Sequence, residues 1–372
     1  MEFVNESGLQ AGWTLGFERD GRELLVVAVK ATYALPANGE EAVLAEEQAK
    51  LTEADEFTGE PGFSAPLHET DYSHRKPKCD VVLNGSAHAP GGGPAAAVPV
   101  SLRVGSMAKS FWVFGARWFE GVILSVVPTR PEPFVKMPIS YDRAFGGSDV
   151  DEDRPEKRDT YRENPIGVGH YPIRRRSALA GQPLPNTSET DTPIENTSGR
   201  YRPMSFGPVG RNFFPRHRHA GTYNQAWLDN HAPFWPDDFS YAYFQCAPDD
   251  QQVPYLVGDE QVELENLTPD GKRWFKIPRK TMPVTFIPHR GGDIQLDGVC
   301  DTLVIEPDLE RFTMTWRVSL PLRRNLFELR QTIVGDMPPS WHAKRRAEAK
   351  GKTYYSSLAE LVDSRRNVVN PK

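Results

Sequence analysis

The amino-acid sequence predicts a mainly β protein with a sandwich-like or open-barrel-like scaffold. Thirty-three prolines and thirty glycines interrupt the 372-residue chain. The segments between them are short and rich in Val, Ile, Phe, Trp and Tyr, the residues that strands favour. Turn signals recur about every ten residues, a spacing typical of two packed sheets or of a barrel.

The N-terminal half supplies the first predicted strands. A strand over 13–18 and another over 23–33 are expected to meet at Asp20-Gly21, where the glycine accepts the positive φ of a tight turn. Further strands are predicted at 79–83, 98–104, 110–117 and 122–127, with a reversal at Phe119-Glu120-Gly121.

The C-terminal half returns to strand composition. Strands are predicted at 255–267, 282–288, 298–306 and 311–320, and the last of these, RFTMTWRVSL, alternates apolar and polar residues. Such alternation indicates a strand with one buried face. We therefore expect one β-rich domain over 1–335, with strands in 13–127 and 255–320 and motif-rich loops over 128–254. The pattern leaves open whether the two β-rich halves form separate domains or share one core.

Residues 336–372 are predicted to form a basic helical tail. Ser340 is placed to cap a short helix and Gly351 to end it, and a second short helix is expected in SSLAELVDSRR. Residues 340–372 carry eight Lys or Arg, whereas 40–60 carry eight acidic residues and one lysine. The tail is interpreted as a solvated face or as a docking arm for an acidic partner.

Composition argues against several classes of function. A net charge of −6 disfavours a nucleic-acid binder, because the phosphate backbone selects basic proteins. The chain has no apolar run of about eighteen residues, and its first residues, MEFVNESGLQ, lack the basic and apolar regions of a signal peptide. We therefore expect a cytoplasmic protein without membrane insertion. Cys79, Cys246 and Cys300 are too scattered for a disulfide framework and are expected to be reduced core residues.

The most informative stretch is Arg200–Ser240, which combines aromatic residues, prolines and a run of Arg and His without a sustained strand or helix period. Loops longer than about 12–15 residues are usually functional or disordered. Disordered segments are poor in aromatic residues, so an ordered binding loop is predicted here.

A metal site or a catalytic site is a less favoured interpretation of residues in this region. His217 and His219, with His231 nearby, could be metal ligands, but Arg216 and Arg218 would repel a dication, and no recognisable zinc spacing supplies a further ligand. Cys246 lacks the local signature of a nucleophile. Paired carboxylates such as Asp237-Asp238 and Asp249-Asp250 are expected to cap turns. We predict no catalytic residue, no metal and no other cofactor.

The central motifs carry a resemblance to a known family. Residues 138–147 read PISYDRAFGG, and further blocks follow in order. They are Asn164-Pro-Ile-Gly-x-Gly169, Leu184-Pro-Asn186, Ser205-Phe-Gly-Pro208, Arg211, Ala220-Gly-Thr-Tyr223, Trp227, Pro236–Phe239 and Tyr243. Together with 28–33 and 113–119, these blocks make residues 5–290 resemble domain-of-unknown-function family 2169. The chain departs from the family pattern at Ala116 and Asn224, where acidic residues are expected.

The resemblance implies a cytoplasmic accessory protein of type VI secretion. Members of this family look like adaptors or chaperones that hold a PAAR-containing effector or tip protein and help to load it on the VgrG spike. A structural component of the secreted spike is disfavoured, since the chain lacks long repetitive β segments. The resemblance carries over no catalytic role.

Partner-binding residues are expected in the motif-rich centre, where aromatic and arginine side chains dominate interface energetics. They are Tyr141, Asp142, Phe145, Asn164, Arg211, Arg216, Tyr223, Trp227, Trp235, Asp237 and Asp238. The alternative is an enzyme whose small-molecule cleft is lined by 138–240, with Asp142, Asn164, Arg211, Asp237 and Asp238 converging on it.

Overall fold

The computed structural model describes residues 1–122, 125–151, 154, 156–174, 176–355, 357–360 and 362. It confirms the predicted fold class, with 37% strand, 13% helix and several sheets that do not close into a barrel. No described helix is both long and apolar enough to cross a membrane.

A six-stranded sheet, here the large sheet, forms the centre of the fold. Its long strand Glu23–Ala34 (ELLVVAVKATYA) lies next to one edge strand and is buried on both faces, as its nearly continuous run of apolar residues requires. The spatial order of the strands is Gln252–Val253, Cys79–Leu83, Val299–Glu306, Arg311–Pro321, Glu23–Ala34 and Gln10–Phe17. Only the pairing of Cys79–Leu83 with Val299–Glu306 is parallel among the described strands of this sheet.

Two further sheets pack with it. The middle sheet has the order Thr187–Ser188, Met107–Phe114, Ala97–Val104, Gln261–Glu265 and Lys272–Lys276. The small sheet has the order Glu2–Asn5, Leu329–Val334, Pro283–Pro288 and Ile294–Asp297.

The three sheets share one hydrophobic core. Val27 and Trp316 of the large sheet, Leu102 and Leu264 of the middle sheet and Phe286 of the small sheet belong to the same buried cluster. The two β-rich halves therefore share a core, and the large sheet itself combines strands from both of them.

Short ribbons and helices complete the fold. The two-stranded ribbons are Glu56–Phe57 with Pro66–His68, Gly85–His88 with Lys136–Ile139, Phe119–Val122 with Ser125–Pro128, Phe145–Gly146 with Val168–Gly169, and Ser148–Val150 with Arg158–Thr160. The α-helices are Arg176–Leu179, Phe214–His217, Gln225–Asn230 and Pro339–Ala349. The 3-10 turns are Pro90–Gly92, Tyr141–Arg143, Tyr241–Phe244, Asp249–Gln251, Pro307–Leu309 and Leu326–Glu328.

Several predicted boundaries were wrong. Phe119-Glu120-Gly121 is not a reversal but part of a strand that pairs with Ser125–Pro128, and residues 123 and 124 of the predicted 122–127 strand lie outside the described residues. The predicted strand 255–267 is interrupted at Gly258 (φ +101°) and Asp259 (φ +70°), because left-handed backbone cannot continue a strand.

The tail differs from its prediction in one detail. Its helix begins at Pro339, so Ser340 lies inside the first turn and does not precede it. Proline suits the first helical position because its φ is fixed and its missing N–H would be unpaired there anyway. Most of the second predicted helix lies outside the described residues.

Candidate functional site

The first part of the central segment is locked by Asn164. This fully buried side chain donates hydrogen bonds from Nδ2 to the carbonyl oxygens of Tyr141, at 2.9 Å, and Phe145, at 3.0 Å. Gly146 adopts φ +152°, and a Cβ there would collide with the backbone oxygen of Asn164. The PISYDRAFGG motif therefore forms a tight turn wrapped around one amide.

Two aromatic residues of this motif point inward. Tyr141 packs edge-on against Phe213, with the ring centroids 5.8 Å apart, and burial raises the pKa of its hydroxyl. Phe145 packs edge-on against Tyr161 and Tyr201, each at 4.9 Å. Both side chains stabilise the loop and do not face solvent.

Asp142 joins the motif to the preceding part of the chain. Its carboxylate accepts hydrogen bonds from Oγ1 of Thr58, at 2.8 Å, and from the backbone N–H of Ala65, at 2.9 Å. It also lines a cleft of about 870 Å³, which lies next to Tyr141, Lys136 and Asp308.

Arg211 and Arg216 meet on one carboxylate. Arg211 contacts Oε1 of Glu69 at 2.5 Å, Arg216 pairs with the same oxygen, and Arg211 also binds Asp55 through two nitrogens at 2.6 and 3.1 Å. Burial alone would raise the pKa of Asp55, but Arg211, the backbone N–H of Thr70 and Arg216 together outweigh burial and hold that pKa below its ordinary value. Arg216 is buried and additionally donates to the carbonyl oxygens of Val209 and Tyr243.

These arginines tie residues 45–76, here the covering segment, to the central segment, and other contacts hold the covering segment on the outer face of the large sheet. Asp71 of this segment pairs with Lys30 and accepts a hydrogen bond from Thr315 at 3.1 Å, and its carbonyl oxygen accepts two from Arg317. A cavity of about 230 Å³ lies between the covering segment and the sheet.

The outer face also carries buried charges that the sequence analysis missed. Lys76 donates to Asp80 at 2.7 Å and to Thr302 at 3.0 Å, and Arg317 pairs with Asp301. The available signal was the alternation in RFTMTWRVSL, which indicated one buried face and assigned no environment to the polar positions. The structure shows that this polar face is covered.

Cys246 lies beside this network. Burial raises the pKa of its thiol well above the ordinary value, and its backbone N–H donates to Asp80 at 2.9 Å. A buried neutral thiol is a poor nucleophile. His217 ends a short helix and is not on a strand with His219, and among the described residues no group of three or more His, Cys, Asp or Glu could hold a metal ion.

The second part of the central segment faces solvent. Asn224 caps the helix Gln225–Asn230 by accepting the N–H of Trp227 at 2.9 Å, a role that asparagine fills as well as the expected aspartate. Trp227 in turn donates from Nε1 to the carbonyl oxygen of Phe234, at 2.8 Å. Tyr223, 54% exposed, packs edge-on against Trp227 with a centroid distance of 4.8 Å.

Turns fixed by carboxylates hold this exposed part in place. Asp238 accepts the backbone N–H and the hydroxyl of Thr222 at 2.9 and 2.7 Å, and Asp237 lies 3.3 Å from Nε2 of His231. Trp235 stacks on Phe239 at 4.3 Å, so one face of its indole is anchored in the protein.

The exposed aromatics continue onto the edge of the large sheet, a contact that the sequence analysis did not foresee. On the strand Gln10–Phe17, Trp13, Leu15 and Phe17 are 37%, 40% and 51% exposed. Phe17 packs edge-on against Phe234 at 6.4 Å. We name this surface the aromatic patch, which comprises Trp13, Leu15, Phe17, Tyr223, Trp227, Phe234 and Trp235.

The predicted partner-binding residues thus fall into two groups. Tyr141, Phe145, Asn164 and Arg216 are interior, where they lock the fold. Tyr223, Trp227, Trp235, Asp237 and Asp238 lie on the solvent-facing part, while Asp142 and Arg211 are partly accessible. Partner binding stays a prediction for all eleven residues.

Comparison with known proteins identifies one relationship. No curated protein and no solved structure matches the chain. A family model described as "Uncharacterized protein conserved in bacteria (DUF2169)" matches residues 20–317. The match spans well over half of the chain, includes the locked central motifs and agrees with the resemblance in the sequence: the protein belongs to the DUF2169 family.

Proposed function

We propose that the protein is a type VI secretion adaptor or chaperone that acts in the cytoplasm. It binds a PAAR-containing effector or tip protein and promotes the loading of that protein on the VgrG spike. The family resemblance suggests the secretion system, and the aromatic patch is the observation that supports a binding role.

The patch has the composition of a protein interface. Tyr and Trp are enriched among the residues that dominate binding energy, and exposed apolar patches on monomers mark interaction sites. Its side chains are held by the capped helix Gln225–Asn230, by the stacking of Trp235 on Phe239 and by the strand Gln10–Phe17. Side chains that are already ordered lose less entropy on docking.

An enzyme remains the alternative because of one observation, the cleft of about 870 Å³, whose size is typical of ligand pockets. Of the five polar residues expected to converge on such a cleft, only Asp142 is among the described residues that line it. Asn164 is instead a buried lock, and Asp237 and Asp238 belong to the exposed turn.

Co-purification with the PAAR-containing protein encoded nearest to its gene tests the proposal. The wild-type protein should capture that partner, while the double variant Tyr223→Ala/Trp227→Ala should lose capture and keep its melting temperature within a few degrees. Phe327→Ala is the matched control, because Phe327 is 80% exposed and lies outside the patch. Failure of the wild-type protein to capture either the PAAR-containing protein or the VgrG spike would contradict the proposal.

A further inference from the structure

The strand Gln10–Phe17 ends the large sheet with an open edge. It pairs along all eight of its residues with Glu23–Ala34, and its other side meets no strand among the described residues. In an antiparallel pair, alternate residues direct their N–H and C=O groups away from the partner strand. About half of the backbone groups of this strand are therefore available to a further strand.

This edge lacks the usual protection against strand pairing. Exposed edges are normally short or carry charged residues or proline. Gln10–Phe17 (QAGWTLGF) is eight residues long and contains none of these. The other described edges of the three main sheets are only two residues long or carry at least one charge, and they are Gln252–Val253, Thr187–Ser188, Lys272–Lys276, Glu2–Asn5 and Ile294–Asp297.

The two faces of the strand, which lie above and below the sheet, carry side chains of different size. On one side, Gly12 and Gly16 let the covering segment reach the edge, since a Cβ at these positions would collide with Tyr72 and His74. On the other side, Trp13, Leu15 and Phe17 alternate along the exposed surface. The edge therefore offers hydrogen-bonding groups beside a row of apolar side chains.

A pocket lies at one end of this row. It has a volume of about 290 Å³ and is lined by Leu15, Phe17, His74, Phe234 and Trp235. The pocket is large enough for an apolar side chain, and it connects the edge with the loop part of the aromatic patch.

We propose that the Gln10–Phe17 edge binds an extended segment of the PAAR-containing partner as an additional strand of the large sheet. The main chain of the segment pairs with the free backbone groups, its alternate apolar side chains pack on Trp13, Leu15 and Phe17, and one of them fills the pocket. A helix has no free backbone groups along its length and cannot satisfy this edge, whereas strand addition gives affinity through the main chain and specificity through side-chain pockets. The inference rests on the proposed function, and the strand lies outside the 20–317 range of the family match.

A pair of matched lysine substitutions tests the inference on the full chain. Leu15→Lys places a charge on the open edge, and Leu296→Lys places one on the edge strand of the small sheet, where the leucine is similarly exposed at 36% against 40%. Leu15→Lys should weaken capture of the PAAR-containing protein by about tenfold or more, the equivalent of about 1.4 kcal/mol. Leu296→Lys should bind like the wild-type protein, and both variants should keep wild-type melting temperatures.

Hydrogen exchange measured by mass spectrometry gives a second readout that does not depend on substitutions. The amides of residues 11–16 should exchange more slowly in the complex than in the free protein, because strand addition places their outward N–H groups in hydrogen bonds. Full-strength binding by Leu15→Lys, or protection confined to 223–235 or to the tail, would overturn strand addition and leave the adaptor function standing.

Two other outcomes are distinguishable. If the wild-type protein captures no PAAR-containing partner, the proposed function fails and this inference fails with it. If light scattering shows a dimer of the free protein that Leu15→Lys converts to a monomer, the edge is occupied by a second copy, and the inference is wrong in its choice of partner.

Discussion

The two faces of the large sheet are both buried, but by different chemistry. The inner face packs apolar side chains such as Val27 and Trp316 into the shared core, and Phe312 stacks on Phe275 of the middle sheet at 5.1 Å. The outer face buries Lys76 and Arg317 with their carboxylate partners. Alternation in a strand therefore establishes that its faces differ and does not establish that the polar face meets water.

This difference determines how much stability each face loses when one of its side chains is substituted. An apolar face loses transfer free energy and gains a cavity when a side chain is shortened. A face of buried ion pairs gains little net stability from each pair, yet it is strongly destabilised when one partner is removed and a charge is left alone.

The largest effect is expected from Asp80→Ala. Asp80 accepts hydrogen bonds from Lys76, from the side chain of Gln245 and from the backbone N–H groups of Cys246 and Ala247. Its loss leaves the buried ammonium of Lys76 without a counterion and three buried N–H donors without an acceptor. The free energy of unfolding, measured in urea, should therefore decrease by about 5 kcal/mol.

The control for that variant is Arg279→Ala. Arg279 pairs with Asp259 at 2.5 Å, both side chains are more than half exposed, and such pairs contribute about 0–1 kcal/mol. Equal losses for the two variants would mean that the outer face is hydrated and that the contrast between the faces is wrong.

Trp316→Ala should give the next largest effect, on the inner face. This fully buried indole lies in the shared core, so its truncation should lower the free energy of unfolding by about 3–5 kcal/mol. The loss should be insensitive to salt because no charge is exposed. A salt-dependent loss would show that the core substitution also disturbs the outer face.

Two histidines that hold the covering segment should give smaller, opposite pH effects. Burial alone would lower the pKa of His68, but Glu306 and Glu56, each 2.8 Å away, raise it above its ordinary value of about 6.5. Burial between aromatic rings lowers the pKa of His74.

The signs follow from linkage between protonation and folding. A raised pKa means that His68 stabilises the fold fully below pH about 6.5 and loses this contribution as the pH rises through its folded pKa. A lowered pKa means that His74 destabilises the fold increasingly as the pH falls below about 6.5. The free energy of unfolding should therefore be measured across pH about 5–9. In His68→Gln it should no longer decrease towards alkaline pH, and in His74→Phe it should no longer decrease towards acidic pH. Unchanged pH profiles would remove both histidines from this role.

The smallest effect on stability is expected at the aromatic patch. Tyr223→Ala removes an exposed ring, so the free energy of unfolding should change by about 0.5 kcal/mol or less. Calorimetry of this variant beside Tyr141→Ala, whose ring is buried against Phe213, separates exposed from locking residues of the central segment. A large decrease in the free energy of unfolding of Tyr223→Ala would show that this tyrosine locks the fold as the buried residues do.

More of the fold than of the candidate site could be predicted from the sequence. The strand composition of 23–33 and the alternation in 311–320 identified two long interior strands of the large sheet correctly. Lys272–Lys276 (KRWFK) was missed because its charges hide the period of two.

The candidate site was harder because exposure depends on tertiary packing. Asn164 and Tyr223 belong to equally dense motifs. The amide of Asn164 is nevertheless enclosed by the turn around it, whereas the ring of Tyr223 faces solvent. The charges at Asp80 and Arg317 gave no local signal of burial, since residues 245–247 cover Asp80 and the distant Asp71 covers Arg317.

The pairing of Glu23–Ala34 with Arg311–Pro321 has a consequence for synthesis of the chain. Leu24 pairs with Pro321, so the strand Glu23–Ala34 is synthesised about 290 residues before its partner. At about 5–20 residues per second, the ribosome needs on the order of tens of seconds to supply it. During that time the apolar run ELLVVAV lacks its native neighbour Arg311–Pro321. The nascent chain then depends on molecular chaperones or transient collapse to avoid aggregation.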